Sequence, residues 1–172
     1  IKREFSCDVN KICYKEFKTQ PKLITVLKNF DKSAYGQIYL SALHMWTDHK
    51  YLGIGLNNFN QLCNEKEVYK KYNTDFGCTT HPHNILMQFL SELGLFGFSF
   101  LLIFHILLLN ELVKISQSKK NNDEKKILLF SIVGVIINIF PLIPSGNFFN
   151  NWLSIILILN LVNYIYFRKK YV

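Results

Sequence analysis

HPHNILMQFLSELGLFGFSFLLIFHILLLN, residues 81–110, is the stretch of sequence that decides the fold of this chain. Two histidines and an asparagine stand at its start, and an apolar run follows from about residue 93 to about residue 113. A helix of about 20 apolar residues crosses the hydrocarbon core of a lipid bilayer. The stretch therefore predicts a polar loop that leads into a membrane helix.

The predicted start of this helix gives His83 a particular environment. Pro82 suits the first turn of a helix, and Thr80 or His81 is the expected cap. The positive end of a helix attracts anions and disfavours a charged imidazole. A neutral His83 at this position is able to act as a base, a logic that other active sites also use.

Two glycines follow His83 at helical spacing. Gly94 comes eleven residues later, close to three turns of about 3.6 residues, and Gly97 lies about one turn further on. If the stretch is one helix, His83, Gly94 and Gly97 share a face. Glycines let a neighbouring helix approach closely, so we expect these two to have a packing role.

Composition divides the chain into two parts. Residues 1–84 are mixed and rich in lysine, whereas residues 85–167 are dominated by Leu, Ile and Phe, with shorter apolar runs at about 127–143 and about 152–167. The sequence therefore predicts an all-α, polytopic membrane protein, with an external helical segment over 1–84 and about three transmembrane helices over 85–172. The chain starts at Ile1 without a signal peptide, so we expect it to be the C-terminal part of a longer protein.

The external segment contains one clear helical pattern. Apolar residues recur at intervals of three and four between Ser33 and Thr47, which predicts an amphipathic helix. Its aromatic face suits contact with a membrane surface or a transmembrane bundle. Residues 1–32 show no sustained period, and a short helix is expected over 22–30.

Basic residues set the predicted orientation. Lysines cluster in the loop near 114–126, and Arg168 begins a basic tail over 168–172. Short basic loops are cytoplasmic, whereas long segments translocate largely regardless of charge, so residues 1–84 are expected outside. The net charge of +8 then reflects topology and a basic outer segment. Nucleic acid is not an expected partner, and anionic lipid headgroups or a pyrophosphate are better candidates.

All four cysteines lie in the external segment, at positions 7, 13, 63 and 78. An even number on one side of a membrane fits an oxidising compartment. Four cysteines allow three pairings, and we favour Cys7–Cys13 and Cys63–Cys78 because each closes a short local loop. A zinc site is the alternative, although the sequence contains no C-x-x-C pattern.

The same residues resemble a known family. His83-Asn84, nine residues and then Gly94-x-x-Gly97 are similar to the signature of the O-antigen ligase and Wzy-type polymerase superfamily. Similar pieces lie upstream, ALHMWTDH at 42–49 and GIGLNNF at 53–59, and downstream, FP at 140–141 and SGNFF at 145–149. The resemblance covers roughly residues 33–165, which is most of the chain.

The resemblance implies a multi-pass glycosyltransferase of the bacterial inner membrane. Such enzymes transfer or polymerise glycan from an undecaprenyl-pyrophosphate carrier on the periplasmic side, without a cofactor, and the acceptor is a glycan or lipid A-core. His83 is the implied catalytic residue, acting at the acceptor hydroxyl or on the leaving pyrophosphate. The remaining expected site residues are Asn84, His81 and Lys50 for substrate binding, and Gly94, Gly97, Cys63 and Cys78 for structure.

Two features of the sequence leave chemical alternatives open. His81-x-His83 can ligate zinc if a third ligand such as His44, His49 or Glu92 joins it, whereas the resemblance implies a metal-independent reaction. Glu92 itself is expected at the membrane boundary, where most glutamates are solvated or paired.

Two further positions bear on the function. Tyr35 stands where members of the family that this chain resembles often carry an arginine that is thought to grip pyrophosphate. Either such arginines lie in the expected N-terminal part before Ile1, or lysines such as Lys32 or Lys50 replace them, or the activity is altered. His105 is an ionisable group deep in a span, which suits a membrane carrier or flippase for lipid-linked glycans. A neutral histidine bonded to a neighbouring helix is the simpler explanation of His105. Ligase, polymerase and protein-glycosylating activities are not separated by the sequence.

Overall fold

The computed structural model describes residues 4–7, 13–16, 23–65, 76–119 and 123–171. The elements in chain order are β1 (Glu4–Cys7), β2 (Cys13–Glu16), α1 (Leu23–Lys28), a 3₁₀ turn (Phe30–Lys32), α2 (Ala34–Asp48), α3 (Phe59–Glu65), α4 (Ile85–Gln117), α5 (Asp123–Asn138) and α6 (Asn151–Tyr171). The described chain is thus helical apart from one short hairpin, which agrees with the predicted helical fold.

The hairpin is an element that the sequence analysis did not predict, because four-residue strands are too short to show a clear alternation. Strands β1 and β2 pair antiparallel, and their register sets Cys7 opposite Cys13. Directly opposed residues have Cα atoms about 4.5–5.5 Å apart, which lies within the range that a disulfide spans. The register is therefore compatible with the predicted Cys7–Cys13 pairing, which stays a prediction.

Helix α2 packs its buried face against α3 and the start of α4. Ser33 caps α2, since its Oγ accepts a hydrogen bond of 3.0 Å from the N–H of Gly36. The cluster that α2 forms with α3 is almost fully buried and contains Ile38, Ala42, Met45, Phe59 and Cys63. The predicted amphipathic helix therefore lies on the rest of the molecule through this apolar face.

A disulfide joins α3 to the segment that leads into α4. It links Cys63 to Cys78, whose Cα atoms are 5.6 Å apart, and this confirms the pairing favoured from the sequence. Cys63 is fully buried in the cluster with α2. The cross-link therefore holds the chain in place five residues before His83.

Helix α4 is broken at Gly94, which corrects the prediction of one continuous helix. Gly94 has φ 63° and ψ −158°, far from helical values. The N–H groups of Leu95 and Phe96 donate to the carbonyls of Lys50 and Tyr51, at 2.8 and 3.3 Å, instead of to carbonyls one turn back. The loop after α2, residues 50–55, thus replaces the missing helical hydrogen bonds.

The close approach at the two glycines comes from this loop and from the helix itself rather than from a neighbouring helix. A Cβ atom on Gly94 would overlap the carbonyl group of Tyr51, and a Cβ atom on Gly97 would overlap the side chain of Leu93. Both glycines therefore serve the broken turn, which differs from the packing role expected on the sequence.

Helices α4, α5 and α6 pack together on their apolar faces. The face of α4 repeats at seven-residue intervals and meets the buried face of α5; the two sets are Leu101, Leu108 and Ile115 on α4 and Leu128, Ile132 and Val135 on α5. At the far end, Arg168 of α6 forms an ion pair of 2.7 Å with Glu111 of α4. This pairing brings the basic end of α6 close to the basic 114–126 loop.

One helix in the described part of the chain, α4, is long and apolar enough to cross a membrane. Helix α5 has 16 residues, fewer than the roughly 20 that a span needs. Helix α6 contains the polar residues Asn160 and Asn163 within its apolar stretch, which makes it less apolar than α4. The structure therefore supports one of the three predicted spans, and the other two rest on the sequence.

Candidate functional site

His83 lies immediately before α4 and has an unusual backbone conformation. Its φ is 54°, in the left-handed region that residues other than glycine rarely adopt. Backbone strain of this kind costs about 1–3 kcal/mol and is common at functional sites. The strain turns the chain sharply at His83 and leaves its side chain half-buried at the helix entrance.

The cap of α4 is Asn84, and the predicted caps at Thr80 and His81 are not used. The Oδ1 of Asn84 accepts hydrogen bonds from the N–H groups of Leu86 and Met87, at 2.9 and 3.2 Å. Asn84 is therefore tied to the start of the helix through its carbonyl oxygen, and His83 stands outside the helix rather than in its first turn.

The imidazole of His81 lies against that of His83, with ring centroids 4.1 Å apart. Its Nδ1 lies 2.9 Å from the hydroxyl of Thr80, and its Nε2 lies 3.3 Å from the carbonyl oxygen of Ser145. Burial lowers the pKa of His81, the neighbouring His83 lowers it further, and the carbonyl of Ser145 opposes this change. His81 is therefore held in place on both sides and favoured in its neutral form.

Tyr35, on the first turn of α2, completes an aromatic group around His83. The two rings meet edge to face at 6.3 Å, with an interplanar angle of 86°. Tyr39 lies one turn along α2, and its hydroxyl is hydrogen-bonded to the side chain of Asn84. Burial raises the pKa of Tyr39, against the effect of that hydrogen bond. Tyr35 thus borders His83, a contact that the sequence did not predict.

The loop between α5 and α6, residues 139–150, wraps around the entrance of α4. The N–H of Ser145 donates to the carbonyl oxygen of His83 at 2.9 Å. The Nδ2 of Asn84 donates to the carbonyl oxygen of Pro141 at 2.8 Å. Phe148 and Phe149 of this loop contact the ring of Phe89. The FP and SGNFF pieces named from the sequence are therefore brought directly onto the histidine segment.

A buried polar network fixes the same loop one turn further along α4. The Nε2 of Gln88 lies 2.6 Å from Asn147 Oδ1 and 3.2 Å from Glu92 Oε2, and Gln88 Oε1 accepts a hydrogen bond of 2.9 Å from the N–H of Phe148. Asn147 Nδ2 donates in turn to Asn57 Oδ1 at 3.0 Å. Three separate segments of the chain are joined through this network.

Glu92 belongs to this network, and its environment differs from the one expected. Its side chain is 0% exposed, whereas the sequence suggested a solvated or paired residue at the membrane boundary. Its Oε1 makes no hydrogen bond of standard geometry with any described residue, although the N–H groups of Asn57 and Phe59 face the carboxylate. Nothing in the sequence pattern distinguishes such a buried carboxylate from an exposed one.

Lys50 lies apart from the histidines. Its carbonyl oxygen accepts hydrogen bonds from the indole N–H of Trp46 and from the N–H of Leu95. Leu95 is ten residues into α4, which places it about 15 Å from the helix entrance. The structure therefore brings His81, His83 and Asn84 together but not Lys50.

His105 is a residue of α4, and its side chain faces the end of α5. Its Nδ1 is 3.0 Å from the carbonyl oxygen of Leu101, and its Nε2 is 2.7 Å from that of Ile139. The contact with Ile139 agrees with the expected bond to a neighbouring helix, and a neutral imidazole, the form expected from the sequence, has one N–H and donates to only one of these two oxygens. Within the described ranges, no group of three or more His, Cys, Asp or Glu residues has the arrangement of a metal site.

A cleft opens beside His81, between the loop over 139–150 and the start of α6. Its volume is about 460 Å³, and its lining includes Thr80, Gly146, Asn147, Asn150 and Trp152. The indole of Trp152 is 78% exposed. The site therefore combines a histidine pair at a helix entrance with an open, uncharged cleft next to it.

Comparison with known proteins agrees with the sequence resemblance. A family model described as O-antigen ligase matches residues 14–102, just over half of the chain, and this range contains His83, Asn84, Gly94 and Gly97. No curated protein and no solved structure gives a significant match.

Proposed function

Since the chain belongs to the O-antigen ligase family, we propose that it is an inner-membrane enzyme that transfers or polymerises glycan. The donor is a glycan on an undecaprenyl-pyrophosphate carrier, the acceptor is a glycan or lipid A-core, and the reaction takes place on the periplasmic side. Membrane lipids surround the helices, and the reaction requires no cofactor.

The placement of His83 carries this proposal. Its ring contacts His81 and Tyr35 and makes no hydrogen bond within the part of the chain that the structure describes. Its nitrogens are therefore available to a substrate, whereas those of His81 are engaged. General-base help from a histidine typically contributes about 10²- to 10⁴-fold to a rate.

In the proposed reaction, His83 accepts the proton of an acceptor hydroxyl. The hydroxyl oxygen bonds to the anomeric carbon of the donor sugar, and the bond from that carbon to the carrier pyrophosphate breaks. The electron pair of the broken bond leaves with the pyrophosphate, which takes a proton from the imidazolium or from water. Ser145 holds the carbonyl group of His83, and Asn84 fixes the next residue to the start of α4, during these steps.

The disulfide supports the proposed location of the reaction. Disulfides form and persist in oxidising compartments such as the bacterial periplasm, and the Cys63–Cys78 bond lies on the same side of α4 as His83. The opposite end of α4 leads into the basic 114–126 loop, which suits the cytoplasmic side. We therefore propose that residues 1–84 are periplasmic and that residues 85–172 form the multi-pass part.

The test compares wild type with His83→Ala in a strain that lacks its own copy, at equal membrane levels, by surface-glycan gel profile. We expect the glycan ladder to disappear and lipid-linked glycan to accumulate on the periplasmic side. Single repeat units that still reach the surface would identify a polymerase, because a failed ligase delivers none. An unchanged ladder would contradict the assignment of His83.

A carrier for lipid-linked glycans is the alternative, and His105→Leu distinguishes the two. Both ring nitrogens of His105 face backbone carbonyls of the helix bundle, so we assign this residue to packing. A carrier that uses His105 predicts that His105→Leu abolishes glycan delivery while His83→Ala has little effect. The transferase predicts the reverse order at matched protein levels.

A further inference from the structure

We propose that the cleft beside His81 binds one uncharged pyranose ring of the glycan and that the indole face of Trp152 is its platform. This inference rests on the proposed function, since it names where a sugar ring next to the reacting one lies in the transferred or accepting glycan. It adds a binding residue on α6, outside the range matched by the family model.

The position of the cleft fits a sugar next to the reacting groups. His81 lines the cleft, and its ring centroid is 4.1 Å from that of His83. A ring bound in the cleft is therefore separated from His83 by one imidazole. The volume of about 460 Å³ falls in the range of ligand pockets, roughly 300–1,000 Å³.

The polar side-chain groups of the cleft are the hydroxyl of Thr80, the amides of Asn147 and Asn150, the imidazole of His81 and the indole N–H of Trp152, and none of its lining residues is a lysine, arginine or carboxylate. Asn150 uses its Oδ1 to accept a hydrogen bond of 3.2 Å from the N–H of Trp152. Its amide NH₂ has no hydrogen-bond partner among the described residues, so two donors remain for a ligand. Neutral donors of this kind match sugar hydroxyls, whereas a pyrophosphate requires cationic partners.

Trp152 supplies the apolar surface that a sugar ring needs. One face of a pyranose carries C–H groups, and an aromatic ring covers that face while the hydroxyls at the edge reach polar groups. An indole combines a large apolar face with one polar edge, and at 78% exposure Trp152 has most of its surface free. The competing role of Trp152 is that of an anchor at the membrane interface. In that role, replacing Trp152 would not change the binding of a sugar.

Gly146 keeps the opposite side of the cleft open. A Cβ atom at this position would lie 2.9 Å from Cδ1 of Leu153, the end of a flexible side chain that also lines the cleft, so a larger residue here takes up space in the cleft. Asn147, the next residue, is fixed by Gln88 and Asn57. The wall facing Trp152 is therefore held at a set position.

The test uses the full-length protein in lipid nanodiscs and, as probe, the repeat-unit oligosaccharide released from the host's own surface glycan. Binding is followed by saturation-transfer NMR, and transfer from native lipid-linked glycan is assayed in parallel. We expect Trp152→Leu to weaken binding of the oligosaccharide about tenfold and to raise KM for glycan more than it lowers kcat. Trp152→Tyr, which keeps an aromatic face, should restore most of the affinity.

Phe130→Leu is the matched control, because Phe130 is 79% exposed on α5 and is not among the residues that line the cleft. It should bind the oligosaccharide as wild type does. Binding and KM that stay at wild-type values in Trp152→Leu would overturn the proposal and leave Trp152 as an interfacial anchor. Wild-type protein that binds the oligosaccharide but transfers no glycan would instead overturn the proposed function.

Discussion

The N–H of Ser145 donates a hydrogen bond of 2.9 Å to the carbonyl oxygen of His83, across 62 positions of the chain. This bond ties the loop over 139–150 to the one residue that has a strained backbone at the entrance of α4. The loop between α5 and α6 therefore contributes to the geometry of His83 although it lies outside the range matched by the family model.

Gln88 is expected to be the most sensitive polar residue of the network that holds this loop. Its side chain is 1% exposed, and Gln88→Leu leaves the N–H of Phe148 and the carboxylate of Glu92 without their partner. Each buried group left unpaired costs about 1–3 kcal/mol. We therefore expect the free energy of unfolding, measured with urea, to fall by about 2 kcal/mol or more. Gln117→Leu, at the exposed end of α4, is the control, and equal losses in the two variants would contradict this account.

Gly94→Ala is expected to destabilise the protein strongly. The residue has φ 63° and ψ −158°, a combination that L side chains avoid, and its Cβ would overlap backbone of Tyr51. We expect the free energy of unfolding to fall by about 3 kcal/mol or more, as measured by thermal unfolding in detergent. Ser99→Ala, in the regular part of the same helix, should change stability far less. A mild effect of Gly94→Ala would mean that α4 is not broken at this residue.

His81 is expected to make stability depend on pH. Its pKa in the folded protein lies below the ordinary value of 6.5, so folding favours the neutral ring. The resulting stabilisation is present above pH 6.5 and is lost as the pH falls from there to the folded-state pKa. As the pH is lowered from 7 to 5, the thermal unfolding midpoint of wild type should therefore decrease more steeply than that of His81→Gln. Identical slopes in the two proteins would rule out this contribution of His81.

The Cys63–Cys78 bond is expected to stabilise the part of the fold that packs α2 and α3 against the start of α4. It closes a loop with a sequence separation of 15, for which the loss of chain entropy corresponds to about 3 kcal/mol. The Cys63→Ser, Cys78→Ser double variant should unfold at correspondingly lower urea concentration. It should also lose glycan transfer at temperatures where wild type is active, because the bond lies close to His83 in the chain. Unchanged unfolding would show that the bond is dispensable for the fold.

Periodicity predicted the elements whose pattern is local. The spacing of three and four between Ser33 and Thr47 predicted a helix that the structure has at Ala34–Asp48. The favoured Cys63–Cys78 pairing was confirmed for a similar reason, since it depends on a short separation along the chain.

Features that depend on distant contacts were not predictable from the sequence. Gly94 fits a helical pattern, and its break appears only because residues 50–55 supply the missing hydrogen bonds. The start of α4 was placed too early for a local reason, because Pro82 suits a first turn whereas Asn84 caps the N–H groups of Leu86 and Met87. The contact of Tyr35 with His83 joins α2 to the helix entrance, and a single sequence carries no signal for it.

The break in α4 makes the length of the 50–55 loop as important as its composition. Carbonyls of Lys50 and Tyr51 receive N–H groups of α4 on one side of Gly94, and N–H groups of Ile54 and Gly55 reach carbonyls of Ser91 and Glu92 on the other. Side chains in this loop other than Gly53 and Gly55 can change while those four backbone contacts persist, whereas both glycines have positive φ and a Cβ on Gly53 would overlap the backbone of Glu92. After an insertion or deletion of one residue, the loop can no longer form both pairs of backbone hydrogen bonds at once. The length of the loop therefore sets the position of the break in α4.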